Sequence, residues 1–249
     1  MLVSIELVPR SKEDLLRDIT IVENILPQIN VLNVPDLLRF DLRSYEAASF
    51  AYSEKKDFNV IPHIRAIDIA PDAPLPCVDR PEIKEVLVVA GDPPPTEQHE
   101  VYPNTSVDII KRYQKEAPHL RVYAVFDPYR RSPKEELEEL ERKKEAGASG
   151  FFTQPIFDTN LLQLSMDWLR DETVFWGISP VLGEKSRRYW ERVNNIVFPK
   201  EYDFSLEGNI HFAQRMLQLV KQQNDNAYLM PLRVDLGAYL TELQSFIVY

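Results

Sequence analysis

The residues best equipped for chemistry stand at the ends of short β-rich runs. Glu6 closes Leu2–Leu7, and His63 and Arg65 stand at the end of the run that begins at Asn59. Asp92 follows Glu85–Ala90 through Gly91, where a glycine permits a tight turn or close ligand approach. Asp127, Thr153-Gln154, Ser179 and Arg233 occupy the same position after four later runs. Alternation puts Ser4 and Glu6 on one face of the first run and Val3, Ile5 and Leu7 on the other. If the apolar face packs on helices, Glu6 points inward, loses water and is raised toward neutrality, which suits a general acid. The alternative is a buried glutamate paired with a lysine or arginine from another strand. Singly, His63 also reads as a satisfied structural histidine, and Asp127 or Ser179 as turn or cap residues. Their convergence on one face is the stronger signal.

The elements that must position these groups alternate. Eight β-rich runs begin near Leu2, Ile29, Asn59, Glu85, Arg121, Gly150, Thr173 and Ala227. Helical periodicity marks Ser11–Leu26, Ser132–Ala146, Asp158–Arg170, Glu184–Asn194, Leu206–Gln223 and Asp235–Phe246. Alternation implies parallel strands with right-handed crossovers, and this size suits a single α/β barrel, the (β/α)8 TIM barrel, over residues 1–249. An open doubly wound sheet is the competing architecture. Ala66–Pro81 carries four prolines, so the helix after the third strand is expected to be replaced by a proline-rich loop. The segment D-P-P-P-T-E-Q-H-E-V-Y-P-N after the fourth strand also reads as irregular. Glu135–Glu145 reads as a solvated helix face, and Trp190 as either core or site.

Composition narrows the function. The formal charge is 29 − 39 = −10, which argues against nucleic acid as a partner. No apolar run of membrane-spanning length and no secretory leader pattern occur, and the single Cys77 cannot form an internal disulfide; together these suggest the cytoplasm. The seven glycines form neither a dinucleotide-binding fingerprint nor a P-loop. The four histidines show no metal spacing, so no metal is expected.

Four blocks resemble the methylenetetrahydrofolate reductase family in order along the chain. S-I-E-L-V-P-R resembles the family's F-E-F-F-P-P, and V-V-A-G-D-P-P its A-L-R-G-D-P-P. L-E-R-K-K-E-A-G-A-S-G-F-F-T-Q-P-I-F-D resembles its most specific block, L-K-x-K-x-x-A-G-A-x-x-x-I-T-Q-x-x-F-D, and G-I-S-P-V its G-I-x-P-I. The resemblance implies a barrel that reduces 5,10-methylene-tetrahydrofolate to 5-methyl-tetrahydrofolate. Hydride would come through FAD or directly from NAD(P)H. By position, Glu6 matches the general acid, and Asp92 the aspartate near pterin and flavin. Gln154 matches the pterin-binding glutamine, and Trp190 and Arg233 fall at folate contacts. His63 and Lys143 match cofactor contacts.

Departures fall mostly on the cofactor side. Ala90 replaces an arginine, His63-Ile-Arg-Ala replaces H-L-T-C, N-V-P-D stands for T-Y-G-A, and the loop after the fifth strand is shortened. The resemblance therefore supports folate more firmly than FAD. Two other readings stand beside it. One is a non-catalytic folate-binding or partner-dependent subunit, with Phe246–Tyr249 as an interface or simply a packed end; a homo-oligomer is equally compatible. The other is a glycosidase-like pair of Glu6 and Asp92, which needs a separation of about 5–10 Å and lacks sugar-stacking aromatics.

Overall fold

The computed structural model describes residues 1–93 and 99–247. Eight parallel strands close into a barrel in sequence order, the last pairing with the first. They are β1 Val3–Glu6, β2 Val31–Val34, β3 Asn59–Arg65, β4 Glu85–Val89, β5 Arg121–Phe126, β6 Phe151–Pro155, β7 Val174–Ile178 and β8 Asn226–Leu229. The helices among the described residues are α1 Lys12–Ile25, α2 Ser44–Glu54, α3 Ser106–Glu116, α4 Pro133–Glu145, α5 Thr159–Trp168, α6 Gly183–Val193, α7 Leu206–Gln222 and α8 Leu236–Ile247. This is a (β/α)8 barrel, and none of these helices is long and apolar enough to cross a membrane.

Side-chain alternation divides the strands as the first run predicts. Val3, Ile5, Leu32 and Val34 pack outward with Leu15, Ile19 and Val22 of α1. The interior has two characters. Ile61, Leu87, Tyr123, Phe152, Phe175 and Tyr228 form an apolar and largely aromatic filling. Phe152 and Phe175 stack at 4.4 Å, and Tyr123 and Tyr228 meet Phe152 edge-on. On the β1–β3 side the buried interior is polar: Asn33 Nδ2 donates to Ser4 Oγ at 2.6 Å, and Asn33 Oδ1 meets His63 Nε2 at 3.1 Å.

No helix follows β3. A single 3-10 turn, Ala66–Asp68, leads into a loop that buries Leu75, Cys77 and Ile83. Side chains of α3 satisfy its backbone: Arg112 donates to the carbonyls of Ala70 and Ala73, and the Tyr113 hydroxyl to that of Pro76. The prolines remove donors, and α3 supplies them to the acceptors left over. Helices α6 and α7 both lie between β7 and β8. Two helices, α2 and α3, lie outside the segments marked by periodicity. The buried face of α2 is written in alanine (Ala47, Ala48, Ala51), which carries little hydrophobic contrast. Of the irregular segment after β4, residues 94–98 lie outside the described residues, as do 248 and 249 of the apolar C-terminus; Ile247 is buried and Phe246 packs against the core.

Candidate active site

Glu6 ends β1 half-buried at the floor of the barrel mouth. The Tyr228 hydroxyl on β8 donates to its Oε2, and no lysine or arginine makes an ion pair with it among the described residues. Burial pushes the Glu6 carboxyl up to about 7, and the Tyr228 hydrogen bond pulls weakly the other way. Burial, and then the charge of Glu6, hold the Tyr228 phenol well above its ordinary value, so it remains a donor. The pair is an acid that changes protonation near neutral pH, held by a partner that does not.

Two chambers open at this end of the barrel. The larger, about 1080 Å³, holds Glu6, Tyr189, Trp190 and Arg233. The smaller, about 270 Å³, holds His63, Gln154, Lys143 and Asp127. Pro35, Asp36, Leu37, Arg65 and Asp92 line both. The wall is an ion network: Arg43 grips Asp36 through Nε at 3.0 Å and its terminal nitrogen at 2.5 Å, and reaches Asp68 at 3.0 Å. Arg65 Nε donates to the same Asp68 oxygen at 2.9 Å, and its terminal nitrogen to the Asp92 carbonyl at 2.5 Å. Gly91, with φ +88°, turns the chain after β4 and brings the exposed Asp92 to this lip.

The expected site residues are thus divided. Glu6, Trp190 and Arg233 share the larger chamber, His63, Lys143 and Gln154 share the smaller, and Asp92 touches both. Trp190 is 8% exposed and packs edge-on against Phe157, so it is mainly core with one edge in the cavity; its neighbour Tyr189 is 48% exposed. Gln154 reaches the smaller chamber through an irregularity in β6. Phe152 pairs with Phe175, but Pro155 pairs with Gly177, so β6 carries one extra residue. Thr153 Oγ1 accepts from the Gly177 amide across this bulge at 2.8 Å. The acidic face of α4 is not wholly solvated: Glu136 is 1% and Lys143 6% exposed. Lys143 Nζ donates to the Val125 carbonyl at 2.6 Å, and burial lowers its pKa. Glu136 accepts from Arg131 at 2.8 Å and from the Asp127 amide at 3.1 Å. Burial raises the Asp127 carboxyl. His63 is buried, and desolvation lowers its pKa to about 3, so the ring is neutral.

A model of the family described as methylenetetrahydrofolate reductase matches residues 53–213, more than half the chain. The chain belongs to the methylenetetrahydrofolate reductase family. Glu6 and Arg233 lie outside the matched stretch. No curated protein matches by sequence. Among solved structures, an uncharacterized protein from Clostridium thermocellum that binds two copies of 5-methyl-5,6,7,8-tetrahydrofolic acid superposes with a TM-score of 0.69 at 14% identity, covering 98% of this chain and 95% of that one. A 2,3-dimethylmalate lyase of the PEP mutase/isocitrate lyase superfamily superposes with a TM-score of 0.59 at 12% identity, covering 98% and 79%. At these identities the likeness is one of fold.

The flavin expected from the methylenetetrahydrofolate reductase resemblance can be tested against the smaller chamber. A flavin dinucleotide brings a pyrophosphate, which needs free cations, a glycine-rich turn or an open helix N-terminus. Here Arg131 is held by Glu136, Lys143 by Val125, and Arg65 by Asp68 and the Asp92 carbonyl, while Arg130 makes no ion pair among the described residues. The bordering helices α3 and α4 are closed by capping boxes, Thr105 with Asp108 and Ser132 with Glu135, which occupy first-turn amides and add carboxylates. The volume, about 270 Å³, also falls just below the usual range of ligand pockets, about 300–1000 Å³. With one cation outside an ion pair, capped helices and this volume, the smaller chamber by itself does not fit a whole flavin dinucleotide. The sequence reading missed Tyr228, although alternation with the outward Ala227 and Leu229 could have placed it inside.

Proposed function

We propose that this family member is an oxidoreductase that converts 5,10-methylene-tetrahydrofolate to 5-methyl-tetrahydrofolate with hydride taken directly from a reduced nicotinamide. The observation that carries the reading is Glu6. An acid poised near 7, with no ion-pair partner among the described residues, lines a cavity large enough for a folate. Glu6 gives its proton to N10 of the bridging ring. The N10–methylene bond breaks, its electron pair stays on N10, and an N5 iminium forms. Hydride adds to the iminium carbon, giving the N5-methyl group and the oxidised nicotinamide. Solvent entering the open cavity returns the proton to Glu6. The Asp92 side chain, exposed at the lip, would face the developing positive charge. Trp190 and Arg233 would hold the more distant parts of the folate. The Clostridium thermocellum neighbour is described as binding 5-methyl-tetrahydrofolic acid. That favours, as a second reading, a barrel that binds folate without turnover.

The test is nicotinamide oxidation by the whole protein with 5,10-methylene-tetrahydrofolate, in the presence and absence of added FAD. The expected result is turnover that does not depend on FAD. Glu6→Gln should lower it by about 10²- to 10⁴-fold, as for loss of a general acid, while 5-methyl-tetrahydrofolate still binds. Folate binding without turnover, with either NADH or NADPH, would leave the binding reading. Unchanged turnover in Glu6→Gln would remove the acid from the mechanism.

A further inference from the structure

The chain after β4 is tied to the chain after β3 at several points. The Ile67 amide donates to the Ala90 carbonyl at 3.2 Å, and the Tyr102 amide to that of Ile67 at 2.7 Å. Asn104 Nδ2 donates to the Ile69 carbonyl at 2.5 Å. At Gly91 the two segments pack closely: a Cβ there would lie 2.9 Å from Ile67 Cγ1 and 3.3 Å from Arg65 Cβ. The next residue, Asp92, is reached by one side chain among the described residues. Arg65 Nε donates to Asp68 Oδ2 at 2.9 Å while its terminal nitrogen donates to the Asp92 carbonyl at 2.5 Å. Asp68 is itself fixed by Arg43 at 3.0 Å, and the Arg65 side chain is only 10% exposed. This fork engages the backbone of Asp92. It leaves the Asp92 carboxylate without a partner among the described residues.

We propose that Arg65 is a positioning residue of the larger chamber: its two-point fork fixes the Asp92 carboxylate at the mouth, where the carboxylate stabilises positive charge on a bound substrate ring. The inference rests on the reductase reading for the substrate and on the geometry for the fork. Asp68 matches the charge of Arg65, so the guanidinium serves as a rigid donor and does not cancel Asp92. A lysine carries one nitrogen and cannot reproduce the fork. A tether matters here because charge attraction falls with distance. At an effective dielectric of about 20, moving a carboxylate from about 4 to about 6 Å from a unit charge costs about tenfold in affinity. Asp92 is exposed and partly screened, so the expected loss is about three- to tenfold.

The sign of the effect separates positioning from charge. Removing a cation that merely faced the substrate would strengthen binding of a positively charged ligand, whereas removing a tether weakens it. The probes are 5,10-methenyl-tetrahydrofolate, whose bridging ring carries a delocalised positive charge, and uncharged-ring 5-methyl-tetrahydrofolate. Each is titrated into the whole protein in mildly acid buffer, where the methenyl form persists. The wild type should prefer the cation. Arg65→Met should lose about three- to tenfold of that preference and keep its affinity for 5-methyl-tetrahydrofolate. Arg65→Lys should follow Arg65→Met. In an Asp92→Asn background Arg65→Met should change the preference little, because the carboxylate it positions is gone. The backbone ties and the Arg43–Asp68 pair remain in all these variants. An unchanged or increased preference in Arg65→Met would overturn the proposal. So would a wild type without preference, full recovery in Arg65→Lys, or an equal loss with and without the Asp92 carboxylate. The expected loss of preference in a protein that shows no turnover with NADH or NADPH would keep the role of Arg65 and sink the reductase reading. Turnover with a preference untouched by Arg65→Met would do the reverse. Binding of neither folate would sink both.

Discussion

The wall shared by the two chambers and the floor of the larger one treat their carboxyl groups in opposite ways. On the wall, Asp36 takes two hydrogen bonds from Arg43 and one from the Ser44 amide. Deep in the smaller chamber, Glu136 takes its own from Arg131 and the Asp127 amide. At the floor of the larger chamber, Glu6 has only a phenol as side-chain partner among the described residues. A buried carboxylate matched by a guanidinium is fixed in place and in charge. One matched by a neutral donor is free to take up and release a proton. The comparison assigns architecture to the first kind and chemistry to the second.

The most severe way to break that contrast is to remove the wall's cation. Arg43→Met leaves the nearly buried Asp36 without a counter-charge and Asp68 with Arg65 alone. The expected cost is about 3–5 kcal/mol in urea unfolding, the usual penalty for stranding half of a buried pair. Arg43 is itself partly exposed, so water entering beside Asp36 would draw the result toward the lower figure. A loss below about 1 kcal/mol would place the pair with ordinary surface ion pairs and remove the argument for a rigid partition.

The next effect is smaller and has the opposite sign. Glu6 binds its proton more tightly folded, at about 7, than at its ordinary value of 4.5. The stability this contributes is fully present below about 4.5 and is lost as pH rises through 7. Glu6→Gln escapes that loss. It should match the wild type near pH 4 and exceed it above pH 8 by up to about 3 kcal/mol, the free-energy equivalent of the shift. Denaturant midpoints at the two pH values measure this directly. A variant less stable than the wild type at high pH would mean that the ionised carboxylate has a stabilising partner.

Most of the barrel was legible in the sequence because parallel strands and amphipathic helices write their burial as local periods. The inward direction of Glu6 follows from four flanking residues. Other features required knowledge of the third dimension. Glu136, Leu140 and Lys143 stand at i, i+4 and i+7, one stripe of α4, yet charge at two of the three made the stripe look solvated. Their burial is tolerable only because Arg131 and the carbonyl of Val125 lie where they point. The wall joins Asp36 and Arg43, after β2, to Arg65 and Asp68, at the end of β3 and just beyond it, a juxtaposition no local period encodes. The division of the site residues was hidden for a similar reason. The blocks that resemble the family mark Glu6, Asp92 and Gln154 as one set, whereas strand order and the β6 bulge send Gln154 to the other chamber.

The finest test acts on the partner of the acid alone. Tyr228→Phe removes one oxygen and keeps the ring that meets Phe152 edge-on, so the aromatic filling should survive. The hydroxyl's hydrogen bond lowers the Glu6 pKa against the larger effect of burial. Without it the carboxyl should titrate at still higher pH. The larger chamber brings several other charges near Glu6: Arg10 and Arg17 with Asp18 after β1 and on α1, Arg65 and Asp92 after β3 and β4, and Arg233 and Asp235 after β8. None of them is changed by the substitution. If the protonated acid is the active form, the alkaline limb of the turnover profile moves up in pH, with a modest change in the plateau. A purely structural Tyr228 would instead lower the melting temperature and leave the limb where it was. A limb moving down would mean that the phenol favours the neutral acid, reversing the roles within the pair.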